Sequence, residues 1–231
     1  TMGGVQTGVS GRTVLKVPSM YATIRDAVRA AKDHDSIMIS AGHYRESIVI
    51  KGISVELLGD GNMQNLLLEG EKGLPAVKVE GGSVRIHNLM LQSSAPQVIE
   101  CGSGRVAVED SNISGALGSG VRIHTGSEAT IKRSVVCRCH QHAVHVYGGS
   151  KVSVESCSFF ENGDHGISVT DPRSSIHVTR CMVSFNRGAG VHVDREAQAV
   201  VEDNDLRNNT AGPNSVGPVS KHLVKMGSNL V

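Results

Sequence analysis

The sequence has no tryptophan, and only three phenylalanines and three tyrosines among 231 residues. A core built on large rings is therefore excluded, and the buried space must be filled by aliphatic side chains. Charge of one sign is also lacking, because 23 Lys and Arg stand against 22 Asp and Glu, a formal net charge of +1. With no long basic run and no stripe of aromatics among basic residues, nucleic acid is not indicated as a partner. No apolar run reaches the roughly 20 residues of a membrane-spanning helix, and no secretory signal is visible at the start. The five cysteines, Cys101, Cys137, Cys139, Cys157 and Cys181, are odd in number, so complete pairing in disulfides is excluded. Cys137 and Cys139 are too close for a comfortable local bridge. Cys157 and Cys181 would stack and would join in an oxidising compartment. Reduced thiols are the better expectation, which leans the chain toward a cytoplasmic location.

What is present is a repeat. A small residue, an aliphatic, any residue and another aliphatic recur as Ala76-Val77-Lys78-Val79, Gln97-Val98-Ile99-Glu100, Gly120-Val121-Arg122-Ile123, Ala143-Val144-His145-Val146, Gly166-Ile167-Ser168-Val169 and Gly190-Val191-His192-Val193. The first aliphatics stand at 77, 98, 121, 144, 167 and 191, in steps of 21, 23, 23, 23 and 24. The second copy is imperfect, with Glu100 where an aliphatic belongs. Each period adds a second pair, such as Val106/Val108 or Val152/Val154, and a lone apolar residue five positions later, such as Ile113 or Phe159. Alternation at period two means strands with one buried face. Three short strands per period, separated by Gly, Ser and Asn turns, predict stacked coils. The fold class is thus all-β, a single parallel β-helix of seven or eight coils with three short strands per coil. A leucine-rich repeat has a similar period but needs several leucines and one strand per repeat. Here the aliphatics are mostly Val and Ile.

The ends follow from the need to cover open strand edges. Ile24, Ala27, Val28 and Ala31 form one apolar stripe, and Thr23 with Asp26 resembles a capping box. A capping helix is expected over 22–33, within an N-terminal cap and first coil spanning 13–60. Residues 1–12 are expected to lack regular structure. Regular coils should span 61–210, with an insertion around 61–65. Residues 211–231 should form an irregular tail or cap. Stacked turn asparagines are expected at Asn162, Asn186 and Asn209.

Columns make the search for chemistry concrete, because each side chain is nearest its equivalents one coil away. The outward column of the first strand reads Lys78, Ile99, Arg122, His145, Ser168, His192, and the next position reads Glu80, Cys101, His124, Tyr147, Thr170, Asp194. Two positions before the strand stand Ser119, His142, His165 and Ala189. The densest polar cluster is therefore an edge of Arg122, His140, His142, His145, Asp164, His165, Arg187 and His192, the candidate binding face. On a metal reading, His142 and His165 would stack and Asp164 would supply a third ligand. Eleven histidines in a repeat also fall into columns by chance, and no metal, cofactor or catalytic residue is assigned. Glu109-Asp110, Glu155 and Glu202-Asp203 alternate with Lys132-Arg133 and Thr179-Arg180, a pattern of charge balance between rungs rather than a catalytic carboxylate pair.

The stretch from Tyr21-Ala-Thr-Ile24 through Ala41-Gly42-His-Tyr44-Arg-Glu46 to Leu58-Gly59-Asp60-Gly61 resembles the opening of pectin-lyase-like right-handed β-helix proteins, notably pectin methylesterases. It carries none of their catalytic motifs. Asp164-His165-Gly166 looks like the Gly-His-Gly segment of polygalacturonases, but the aspartates that family needs on the preceding coils are absent. The coils through Cys157…Asn162, Cys181…Asn186 and Asn204…Asn209 resemble the intracellular β-helix modules of F-box substrate receptors and of Shc-binding, Nessun-Dorma-type cytokinesis proteins. That resemblance implies a non-catalytic module within a larger protein, holding a protein partner or, second, a glycan. A polysaccharide-active enzyme and a structural cytoskeletal segment are the rival expectations.

Overall fold

A computed structural model describes residues 12–231, so the expectation for residues 1–12 lies outside the described residues except at Arg12. Three columns of parallel strands run the length of the molecule. The first column holds eight rungs, from Ile48–Ile50 through Ser119–Ile123, Val144–Val146, Ile167–Val169 and Val191–Val193 to Asn214–Val216. The second holds ten, from Val14–Val17 to Val224–Met226. The third holds seven strands, from Gly42–Arg45 to Met182–Ser184, and is continued by bridges at Asp205 and Leu230. Together they make about nine turns. Seven or eight were expected; the further rungs come from the two ends, where the repeat is degenerate in sequence but the backbone still pairs.

The inward residues follow the alternation. Val121, Ile123, Val144, Val146, Ile167, Val169, Val191 and Val193 are all fully buried. Of the six Phe and Tyr residues only Phe159 is buried, as the scarcity of rings requires. Each buried aliphatic contributes about 1.5–3 kcal/mol relative to exposure, and stacking like on like removes the need for large side chains.

Turns are held by columns of polar side chains that accept from the backbone N–H of the preceding rung. The N–H groups of Cys139, Asn162 and Asn186 donate to the Oδ1 atoms of Asn162, Asn186 and Asn209, each at 3.1 Å. At the neighbouring turn, Ser111, Ser134, Cys181, Asn204 and Asn229 accept in the same way. The five cysteines are free and buried. Burial raises the Cys139 thiol to about 11, so it packs as a small apolar group.

The helix spans Ile24–Ala30, shorter than the expected 22–33. Thr23 Oγ1 accepts from the Asp26 N–H at 3.0 Å, and the Glu46 carboxylate accepts from the N–H groups of Ile24 and Arg25. Ile24, Ala27 and Val28 are buried against the first rungs. The insertion is a 3-10 turn at Met63–Asn65, capped by Asn62. Residues 211–231 are more regular than expected. Asn214–Val216 and Val224–Met226 pair with Val191–Val193 and Gln198–Glu202, and the 3-10 segment Pro218–Leu223 joins them. Backbone pairing overrides the Gly- and Pro-rich composition there, because an edge strand offers a ready template.

Candidate functional site

One register differs from the sequence reading, and it changes the site. Val121 pairs with Ile99, Arg122 with Glu100, and Ile123 with Cys101. The second repeat copy is therefore Ile99-Glu100-Cys101, with Ile99 and Cys101 fully buried and Glu100 facing outward. Cys101 does duty as the second aliphatic. The outward column of the first strand is then Lys78, Glu100, Arg122, His145, Ser168 and His192.

On this face the rings form a continuous ladder. His142 and His165 stack at 5.4 Å between centroids with planes 5° apart. His165 and His192 stack at 4.4 Å and 12°. His145 meets the edge of His142 at 5.0 Å and lies 4.8 Å from Tyr147, which stacks on His124 at 5.2 Å and 8°. The spacing is set by the stacking of parallel strands, close to 4.8 Å. Gly188 permits it, because a Cβ there would sit 2.5 Å from His165 Nδ1 and 2.7 Å from Asp164 Oδ1.

Three of these imidazoles, His142, His145 and His165, are pushed toward the uncharged form. Burial, with the neighbouring His145, lowers His142 to about 4 against the opposing pull of Asp164. Burial, with Arg122 close by, lowers His145 to about 4. Burial also lowers His165, and Asp164 opposes it. The Ala189 N–H donates to His165 Nδ1 at 2.8 Å, which places the imidazole proton on Nε2, 3.4 Å from Asp164 Oδ1. The Nδ1 lone pair is thus taken by a backbone donor while Nε2 carries the proton, and no lone pair is left for a general base. His142 Nδ1 lies 3.8 Å from Asp164 Oδ2, too far for a hydrogen bond.

At the N-terminal end of the ladder Glu100 gathers a second group. Gln97 Nε2 donates to it at 2.9 Å, His124 Nε2 lies at 3.3 Å and Arg122 Nη1 at 4.0 Å. Four buried side-chain polar atoms on this face have no partner: Gln97 Oε1, Arg122 Nε, His142 Nδ1 and His192 Nδ1. Among the described residues six such atoms occur in all, so the face holds most of them.

Of the expected binding residues, the structure brings together Arg122, His142, His145, Asp164, His165 and His192. His140 and Arg187 sit around the corner, in a cleft at the turn that precedes the first strand. Glu100, Gln97, His124 and Tyr147 were missed as members of the site. The signal for Glu100 was present, since Ile99 lies 22 residues after Val77 and 22 before Val121, a more even spacing than the one through Val98. Among the described residues no group of three or more His, Cys, Asp or Glu is arranged to hold a metal ion. The charge-alternating flank of the second strand consists of ion pairs, with Lys132 to Glu155 at 3.1 Å, Arg133 to Asp110 at 2.8 Å, and Arg180 against Glu155. No described helix is long and apolar enough to cross a membrane.

This stack of coils is a right-handed β-helix, and the chain belongs to that family: the family described as "Right handed beta helix region" matches residues 75–224. Mouse (Mus musculus) SHC SH2 domain-binding protein 1 is 22% identical over 184 residues, which cover 66% of this chain and 28% of that protein. The chain therefore spans well under half the length of this curated relative. Among solved structures, the pectin methylesterase of Aspergillus niger superposes with a TM-score of 0.73 at 12% identity, covering 98% of this chain and 87% of that one. The carrot pectin methylesterase gives 0.71 at 16% identity, covering 97% and 84%. At these identities the structural likeness is one of fold, the pectin-lyase-like β-helix.

Proposed function

We propose that the chain is a β-helix binding module that works without catalysis. It holds a protein partner, or second a glycan, on the face formed by Arg122, His142, His145, Asp164, His165 and His192. The observation that carries this reading is the continuous ladder of His142, His145, His165 and His192 rings, with Arg122 one rung from His145, on one face. Rings and arginine on one face are also what protein interfaces favour. The occupation of the His165 Nδ1 lone pair by the Ala189 N–H argues against general-base chemistry at the Asp164–His165 pair. The mouse relative is named for binding an SH2 domain, which agrees in kind with a protein partner. A cytoplasmic setting, in substrate-receptor or cytokinesis assemblies, belongs to the same proposal.

Recovery of bound proteins from cytosol by the wild-type chain and by a His142→Ala, His145→Ala, His165→Ala triple variant tests the face. A partner retained by the wild type and lost by the folded variant is expected. Equal recovery by both removes the ladder from the binding surface.

A second reading rests on Glu100, a carboxylate 15% exposed among Gln97, Arg122 and His124. On this reading the chain acts on an acidic polysaccharide, as the structural neighbours named as pectin methylesterases do. It requires a turnover that Glu100→Gln abolishes.

A further inference from the structure

His140 and Arg187 do not join the ladder, and their surroundings have a chemistry of their own. They line a cleft of about 510 Å³ at the turn between the third and first strands. One wall is a single turn position repeated in successive coils: Arg138, Glu161 and Phe185. The equivalent residues in the flanking coils are Gly115 and Asn208. All five are left-handed, with φ of 85° at Gly115, 55° at Arg138, 56° at Glu161, 56° at Phe185 and 63° at Asn208.

Glycine and asparagine take this conformation readily, and a bulky ring does so only under constraint. Phe185 is also 62% exposed, so its ring contributes nothing to the core. Neither backbone preference nor packing accounts for a phenylalanine there. Strain of this kind, with no structural return, points to function.

The opposite wall is His140, Gly163 and Arg187, again on successive coils. A Cβ on Gly163 would lie 2.2 Å from the His140 carbonyl oxygen. The glycine is obligatory, and it leaves a gap between the two basic side chains. Arg138 is neutralised by Glu161, Nε to Oε2 at 2.9 Å. Among the described residues no carboxylate pairs with Arg187 or His140. The cleft therefore carries an excess of positive charge beside an exposed ring. Its walls span two rung spacings, roughly 9–10 Å, about three residues of extended chain.

We propose that this cleft seats a short, extended acidic segment of a partner protein, with a carboxylate on Arg187 and His140 and an apolar side chain on Phe185. The proposal rests on the binding-module reading and adds a contact outside the ring ladder. Arginine and phenylalanine are both among the residues enriched at protein interfaces. The positive excess selects an acidic partner over a basic one.

The test uses the whole chain and short labelled peptides that alternate Asp or Glu with Leu or Phe. Controls replace the acids by Gln or by Lys. The acidic peptides should bind at least about tenfold more tightly than the Gln controls, and Phe185→Asn should weaken them about tenfold. Because Asn208 already occupies the same turn position, Phe185→Asn should melt no lower than the wild type, which separates binding from folding. Arg187→Glu should abolish the preference for acidic peptides and favour the Lys controls. Acidic peptides that bind no better than Gln controls, or that bind both variants as they bind the wild type, overturn the cleft. If both cleft variants keep the cytosolic partner while the ladder triple variant loses it, the module reading stands and the cleft falls. If the wild type binds neither peptide nor partner, both fall.

Discussion

At the residue scale, burial holds His142 and His145 neutral, and that has a pH signature. In the unfolded chain each titrates near 6.5, whereas His142 and His145 titrate at about 4 in the folded state. Between pH 6.5 and 4 the unfolded chain therefore binds more protons, and stability falls as the pH is lowered through that window. The slope is at most about 1.4 kcal/mol per pH unit for each histidine. Urea unfolding at pH 7, 6 and 5 should show this loss, and a His142→Gln, His145→Gln double variant should flatten it. An unchanged slope in the double variant would place the acid sensitivity elsewhere. Most of these histidines were legible in the sequence because columns follow from the 23-residue step. Glu100 was signalled only by the even spacing of Ile99, and it was read out of register because Cys101 reads as a turn residue until its burial in the position of an aliphatic is known. A thiol is small enough and apolar enough to fill that position, and sequence pattern alone treats it as either.

At the element scale, the strands and turns were the most legible part, since Val and Ile at period two leave little freedom in assignment. The asparagine column was also legible, but its bonding was not. Each amide accepts from a backbone N–H one coil away and donates to carbonyls on its own coil and the one before. Asn186 is the middle of that column and fully buried. Asn186→Ala leaves the Asn162 N–H and the Phe159 and Ser184 carbonyls without this partner. A loss of about 2–4 kcal/mol is expected, from two or more unsatisfied buried groups at roughly 1–3 kcal/mol each, read as a lower urea midpoint at unchanged slope. A loss below about 1 kcal/mol would mean that the turns are held by strand pairing alone. The tail was the least legible element. Its composition signals turns, and only the exposed edges of Val191–Val193 and Gln198–Glu202 draw Asn214–Val216 and Val224–Met226 into strands.

At the scale of the whole molecule, a solenoid brings residues 23 apart into contact and keeps sequence neighbours on different faces. That geometry separates the ring ladder from the cleft at Phe185 although His140 and His142 are two residues apart. It also disperses carboxylates. Asp164 lies against His142 and His165, Glu100 against Gln97, His124 and Arg122, and Glu80 against Lys51 and Lys78. Glu80, Glu100 and Asp164 each lie beside basic or polar side chains rather than beside a second acid. The central claim is that this face binds and does not react. Its most direct test is turnover by the purified chain on methyl-esterified pectin and a panel of uronate polymers, with Glu100→Gln and His165→Ala measured beside it. No turnover above the buffer blank is predicted for any of the three; turnover by the wild type that either substitution abolishes would contradict the account.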